Sequence, residues 1–534
     1  MITNKEFEKL YSRLNPAQKH AVDAIEGAVM VIAGPGTGKT QILTLRIANI
    51  LLNTQVNPEN ILALTFTESA VYEMRKRLVS IIGTPGYRVE INTFHGFCNE
   101  IIQNNSENFA HLIAAESITE LQQIQILESI IRDANLTVLK PIGDPNYYVR
   151  PALSAINDLK KEGVTAGMFE KALQLQESDY GKIEDLHHEK GVHQGKIKTK
   201  YQDLQKNINK NKELLIIYKA YQQELYSKKM YDFNDMLLEV IKAFENDPQL
   251  LLKFQEQYQY FLVDEHQDTN AAQNKIIESL AGYFPNPNLF VVGDEKQAIF
   301  RFQGASLENF LYFKHLYKEA LLINLQTNYR SSQRILDAAG SLISHNQKTK
   351  ELLPSESKLV ANFCETNLGI KIASFHDYYS EFYWLGEHIK KRINNKADPC
   401  EIAVLVRNNR DVEPIIDVFE QKSIPYIVES DQNILQDLEI QKVILLLECV
   451  HNLGNDATLL RAMHIDSLQI YPLDIYKLMQ YSKENHTSVW DTLSSDSFET
   501  ALELKSLQKI KEFVQKMNTW KTKSMNESFD TVFV

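Results

Sequence analysis

Two stretches of this sequence carry side chains suited to phosphate chemistry. The first is Ala33-Gly34-Pro35-Gly36-Thr37-Gly38-Lys39-Thr40, with an apolar run, Ala28 to Ile32, before it and a helical pattern on Ile42, Leu43, Leu45, Ile47, Ala48 and Leu51 after it. Strand, glycine-rich loop and helix is the context of a phosphate-binding P-loop. Glycines let several N–H groups converge on one anion, and the helix start adds partial positive charge. In such a loop Lys39 reaches the β- and γ-phosphates, and the Thr40 hydroxyl holds Mg²⁺. Ala33 stands where the usual pattern has its first glycine. The second stretch, Tyr260-Phe261-Leu262-Val263-Asp264-Glu265-His266-Gln267-Asp268, is an apolar strand ending in two carboxylates. Opposite a P-loop lysine, Asp264 is suited to hold the metal, and Glu265 to orient and deprotonate an attacking water. Together the two stretches predict a protein that binds a nucleoside triphosphate.

The elements around them must bring the two together. Strand patterns occur at 60–67 and 89–92, the latter running into Thr93-Phe94-His95-Gly96, and again at 289–292 and 321–324. Helical patterns intervene, one carrying Ala70, Val71, Met74 and Leu78. Strands alternating with helices imply a doubly wound parallel sheet, whose ligands sit at the carboxyl ends of the strands. Phe66 and Phe94 fall at such ends, either as core residues or as platforms for a flat ligand. After the strand at 289–292 comes Gln297, suited to hydrogen-bond a γ-phosphate, then Phe300, Arg301 and Phe302, a kit for stacking unpaired bases. Asn15-Pro16 is a good helix start, and Gln18 in its first turn is either a solvated residue or a reader of the adenine edge.

The 534 residues predict several domains, and 44% hydrophobic with 24% charged residues is ordinary for globular protein. A formal net charge of −12 argues against coating nucleic acid by bulk charge, but leaves room for a local basic groove. Cys98, Cys364, Cys400 and Cys449 have no metal-ligand spacing and read as buried thiols in a reducing cytoplasm. No apolar run has the length of a membrane span. Residues 101–214 read as a helical insertion, with a Ser117…Glu120 capping box opening one helix. Its lysine- and histidine-rich part, with His187, His188 and His193, reads as a solvated surface rather than a metal site.

In order along the chain, Asn15-Pro16-Ala17-Gln18, the P-loop, Ala63-Leu64-Thr65-Phe66-Thr67, Thr93-Phe94-His95, Val263-Asp264-Glu265-His266-Gln267-Asp268, Gly293-Asp294…Gln297 and Asn328-Tyr329-Arg330-Ser331 resemble the motifs of superfamily 1 helicases of the UvrD/Rep/PcrA type. The resemblance implies an α/β protein of P-loop NTPase (RecA-like) parallel-sheet motor domains with a helical insertion. Its divisions would be a first motor domain in two parts (1–100 and 215–318), the insertion at 101–214, a second motor domain at 319–455, and the start of a second helical insertion at 456–534. It implies a DNA-stimulated ATPase that walks 3′ to 5′ on single-stranded DNA and unwinds duplex, with ATP and Mg²⁺ as cofactors. By motif position Gln18 would read adenine and Tyr329 stack on it, with Gly34, Pro35, Gly36, Thr37, Gly38 and Gln41 around the phosphates. Gln297 would sense the γ-phosphate, and Arg330 would act as an arginine finger. Phe66, Thr93, His95, Phe300, Phe302 and Arg407 would contact the strand. A P-loop module that binds DNA and uses ATP only for regulation is the alternative.

Several residues depart from the pattern. Gln41 stands where the family often has an arginine, Gln303 replaces an arginine, and His266 replaces an aromatic residue. Lys296-Gln297 is closer to the RecB/AddA branch. The two late motifs of the family are absent, and the sequence closes on the apolar Asp530-Thr531-Val532-Phe533-Val534. This predicts an N-terminal part of a longer motor, its second RecA-like domain incomplete.

Overall fold

Within each strand of the first unit, alternate residues face opposite sides, and both sides are apolar. Val29 and Val31 enter one core while Met30 and Ile32 enter the other, and Ala63 and Leu62 divide the same way. Such doubly buried strands read as continuous apolar runs because helices cover both faces. The computed structural model describes the chain apart from residues 1–3, 114, 142–145, 188–196, 298–306, 346–357, 363–368, 429–437, 452, 496 and 527–534. It divides into two units, 1–370 and 371–534.

The sheet of the first unit comprises β1 (Val29–Ala33), β2 (Ile61–Thr65), β3 (Glu90–Thr93), β6 (Tyr260–Val263), β7 (Leu289–Gly293) and β8 (Leu321–Leu325). Its order is β3-β2-β6-β7-β1-β8, and every pairing is parallel. Because β8 pairs with β1 from Val29↔Leu321 onward, the first sheet runs past the boundary expected at 318/319. Helices α1 (Asn4–Tyr11), α2 (Pro16–Asp23), α3 (Lys39–Asn53) and α4 (Glu68–Ile82) cover one face. Helix α5 (Phe94–Asn104), together with α10 (Asp235–Asn246), α11 (Pro248–Gln257) and α12 (Ala271–Ala281), covers the other.

Between α5 and α10 lies the insertion, with α6 (Glu120–Asp133), α7 (Val149–Lys161), α8 (Ala166–Gly181) and α9 (Thr199–Ser227). Its core joins Leu127, Ile131, Leu153 and Ile156 to Ile217, Tyr218 and Tyr221 of α9. The capping box of α6 is Thr119 with Gln122, two residues beyond the pair expected from sequence. The short strands β4 (Glu116–Ser117) and β5 (Met230–Tyr231) pair where the chain enters and leaves the insertion. Two more short strands, β9 (Thr327–Asn328) and β10 (Val360–Ala361), pair beside the P-loop.

In the second unit, helices Tyr378–Asn394 and Glu413–Gln421 pack through Ile389, Ile415 and Phe419. The residues similar to the family's second motor domain, 401–407 and 423–426, form no ladder among the described residues, and Leu405 is 94% exposed. A helical bundle spanning Leu438–His451 to Leu507–Asn526 has its own core, including Cys449, Leu459, Leu478 and Phe513. Cys98 and Cys449 are buried as expected, but Cys400, on a one-turn surface helix, is exposed. Cys364 and the tail 530–534 lie outside the described residues. No helix among the described residues is long and apolar enough to cross a membrane.

One buried carboxylate fastens the insertion. Glu213 on α9 accepts the N–H groups of Thr137 at 2.8 Å and Leu139 at 2.7 Å, and that of Val138 at 3.0 Å, with the Thr137 hydroxyl at 2.7 Å. Burial pushes its pKa up, but these donors outweigh burial and hold the carboxyl below its ordinary value. A depressed folded pKa stabilises above the unfolded value, and that stability is lost as pH falls through the folded one. Glu213→Gln should therefore destabilise the first unit by about 1–3 kcal/mol at neutral pH. The difference from wild type should shrink in acid, as read from denaturant midpoints at pH 7 and pH 4.

Candidate nucleotide and nucleic-acid site

The P-loop leaves β1 at Ala33 and turns through Gly36 (φ +67°) and Gly38 (φ +90°) before α3 begins at Lys39. Both angles lie in the left-handed region that glycine adopts without strain. A Cβ on Gly36 would also stand 2.7 Å from Arg330 Cβ and from Asn328 Nδ2, so this approach needs bare backbone. The Thr37 hydroxyl braces the loop from within, donating to Gly34 O at 2.7 Å. No side chain caps α3, so its first N–H groups are left for a ligand in the adjoining cleft of about 260 Å³.

Lys39, Thr40, Gln41, Glu265, Gln297 and Arg330 all line that cleft. Lys39 Nζ lies 2.5 Å from Glu265 Oε2, so the ends of β1 and β6 meet although β7 separates them in the sheet. Glu265 is held at φ 47°, ψ 45°, a left-handed conformation costing a non-glycine residue about 1–2 kcal/mol. Gln267 Nε2 donates to Glu265 Oε2 at 2.8 Å, and Asp264 Oδ1 accepts the Glu265 N–H at 2.9 Å. Gln267 Oε1 in turn accepts the Asp294 N–H at 3.0 Å, and Asp294 Oδ2 accepts from Gln297 Nε2 at 2.7 Å. A chain of hydrogen bonds thus ties Glu265 to Gln297.

Burial, with the charge of Glu265 beside it, pushes the Asp264 carboxyl up to about 7 against the pull of Lys39. The same causes push Asp268 up to about 6. Three carboxylates around one lysine leave surplus negative charge, which fits a divalent cation. Among the described residues no three His, Cys, Asp or Glu side chains form a metal cage. An ion here would share phosphate oxygens with Thr40 and Asp264.

On the other flank, Asn15 and Gln18 form a reciprocal cap on α2. Gln18 Nε2 also donates to Thr37 O at 2.9 Å, so its amide braces the P-loop as well as the helix start. Asn15 Nδ2 donates to the Tyr329 hydroxyl at 2.9 Å, while the Tyr329 N–H donates to Gly36 O at 2.8 Å. Gln18 and Tyr329 therefore flank one end of the loop. Asn328, fully buried, donates to Pro35 O at 2.5 Å and accepts the N–H groups of Arg330 and Ser331. Asn328 opens the Asn328-Tyr329-Arg330-Ser331 motif, but nothing in the motif shows this bridging part. Sequence reasoning gave no part to Arg77, which reaches the cleft from α4 and lines it together with Gln41, where the family's arginine is lacking.

Phe66 follows β2 directly, and Thr93 ends β3, its neighbour in the sheet. The Thr93 hydroxyl caps α5 and donates to Glu68 Oε1 at 3.0 Å. His95 stacks on Phe233 with ring centroids 3.6 Å apart and planes 20° from parallel, yet Phe233 is 55% exposed. An exposed phenyl ring backed by a second ring is a ready surface for a base. Sequence reasoning missed Phe233; its one signal was an aromatic residue between two aspartates at a helix start. Burial lowers the pKa of His95 to about 4 and leaves Nε2 without a hydrogen-bond partner, so the ring is neutral at pH 7. Arg407 lies exposed in the second unit, and Phe300 and Phe302 lie outside the described residues.

A family profile described as the UvrD/REP helicase N-terminal domain matches residues 14–318, more than half of the chain. This chain belongs to the UvrD/REP helicase family. A second profile, the UvrD-like helicase C-terminal domain, matches residues 323–530. The chain is 31% identical over 494 residues to the ATP-dependent DNA helicase PcrA of Staphylococcus epidermidis, covering 92% of this chain and 61% of that protein. It is 29% identical over 491 residues to the PcrA of Staphylococcus aureus, with coverages of 92% and 60%. The chain thus spans about three fifths of the length of these relatives.

The neutral His95 gives a titration to measure. Its folded pKa lies below the unfolded value of about 6.5, so the unfolded chain binds the extra proton and stability falls as pH drops from about 6.5 toward 4. Nuclear magnetic resonance, with the signal assigned through His95→Gln, should find the imidazole neutral at pH 5.5. The variant should lose part of the acid-side decline in stability.

Proposed function

We propose that this chain is an ATP-driven translocase on single-stranded DNA, moving 3′ to 5′ and unwinding duplex at single-/double-strand junctions in DNA repair or recombination. One observation carries the reading: Lys39 and Glu265 meet on one cleft, with Asp264 buried beside Glu265, in a sheet whose neighbouring strand ends carry Phe66 and His95, the latter stacked on Phe233. Adenine enters beside Gln18 and Tyr329, and the triphosphate lies along the P-loop toward Lys39. Phosphate oxygens compete with Glu265 for Lys39. Glu265, released from the ion pair, then takes a proton from the attacking water. Mg²⁺, held by Thr40 and Asp264, would supply charge neutralisation between the phosphates. Gln297 reports the γ-phosphate back to Glu265 through Asp294 and Gln267, and Arg330 and Arg77 stabilise charge developing on the phosphates.

Strand binding follows from stacking on the aromatic rings, so it tolerates any base. The family membership and the resemblance to PcrA support this reading over a purely regulatory use of ATP. Lys39→Ala should abolish binding of a fluorescent ATP analogue. Glu265→Gln should keep that binding within a few-fold while lowering turnover by about 10²–10⁴-fold, as loss of a general base does. Oligothymidylate should stimulate wild-type turnover, and its affinity should fall steeply with salt. An ATPase rate indifferent to oligothymidylate would overturn the motor reading, and DNA binding without strand displacement would favour the regulatory one.

A further inference from the structure

Among the described residues, the most completely buried ionic group of the first unit has no part in the nucleotide cleft. Lys160, at the end of α7 in the insertion, is 0% exposed. It pairs with Asp232 and, at 2.7 Å, with Asp235 Oδ1. The Tyr221 hydroxyl of α9 donates to Asp232 Oδ2 at 3.1 Å, and Lys160 lies 5.1 Å from the centre of the Tyr221 ring. Asp232 Oδ1 accepts the N–H groups of Asn234 and Asp235, each at 3.0 Å, and Asp235 Oδ2 accepts the Asp232 N–H at 3.1 Å. Asn234 reaches back to α7 through Asn157 at 3.0 Å.

The four residues 232–235 are therefore clamped at both ends by side chains from two insertion helices. The residue they leave protruding is Phe233, the ring stacked on His95. A turn that only started α10 would be satisfied by surface caps. Removing a lysine and two carboxylates from water is costly, and such a triad is not needed merely to hold a helix start.

We propose that Lys160 is a positioning residue for the nucleic-acid strand: by gripping Asp232 and Asp235 it fixes Phe233 against His95, so the helical insertion sets the strand affinity of the sheet domain. This assignment rests on the strand-binding reading above. It names no contact of Lys160 with DNA, because the lysine acts through the turn.

The test is a double-mutant cycle on the full chain, read by fluorescence anisotropy with labelled oligothymidylate at fixed salt. Phe233→Ala should weaken binding about tenfold, within the range for loss of one stacked base, and Phe233→Tyr should restore it. Lys160→Met should weaken oligothymidylate binding to a similar degree while leaving affinity for a fluorescent ATP analogue within twofold. In the double variant the two losses should not multiply, since both remove one platform. If Lys160→Met fails to fold, Asp235→Asn leaves a single matched ion pair and enters the same cycle. A folded Lys160 or Asp235 variant that binds oligothymidylate like wild type, or losses that multiply, would overturn the assignment alone. A wild-type chain without affinity for oligothymidylate would overturn the strand-binding reading and the assignment with it.

Discussion

The ion pair between Lys39 and Glu265 is the constraint around which the first unit is organised. A lysine only 11% exposed needs a counter-charge, and the sheet order supplies one by bringing the β6 end to the P-loop. Several other polar contacts at this end support that meeting. Thr37, Gln18 and Asn328 hold the loop against which Lys39 is set, while Gln267 and Asp264 hold Glu265 in a backbone conformation it would otherwise avoid. The surplus of carboxylates leaves the site short of positive charge, which suits a divalent cation.

The face proposed to bind the strand is built by different physics. Near Phe66, His95 and Phe233 the rings are uncharged, and His95 is kept so by burial. A chain of net charge −12 does not attract DNA by its overall field. Flat neutral surfaces can instead offer contacts that any base can make, and the insertion helices pair with the turn that carries Phe233.

What sequence reasoning could read was what the sequence stores locally. The strands β1, β2, β6 and β7 are buried on both faces and so appear as unbroken apolar runs. The P-loop is legible because eight adjacent residues make it. The chemistry assembled across the fold was much less so. Phe233 gains its ring partner only when His95 arrives from the end of β3. Arg77 sits among the charged residues of an ordinary amphipathic helix, with nothing local to show that its tip reaches the cleft. Gln18 and Thr93 stand at helix starts legible in the sequence, yet their hydrogen bonds to the Thr37 carbonyl and the Glu68 carboxylate depend on residues distant in the chain. In the second unit, residues 401–407 have strand-like composition but form no ladder among the described residues, because composition proposes a strand and only a neighbouring strand completes it.

The strand order has a consequence for how the chain is made. β1 lies between β7 and β8, so the strand that launches the P-loop emerges from the ribosome about 260 residues before either neighbour exists. At ordinary translation speeds that delay is roughly a quarter of a minute to a minute. Throughout it, Val29 to Ala33 has two open edges and apolar side chains on both faces. The nascent polypeptide must shelter this segment, through α2 and α3 or through a chaperone, until the strands that flank it have been synthesised.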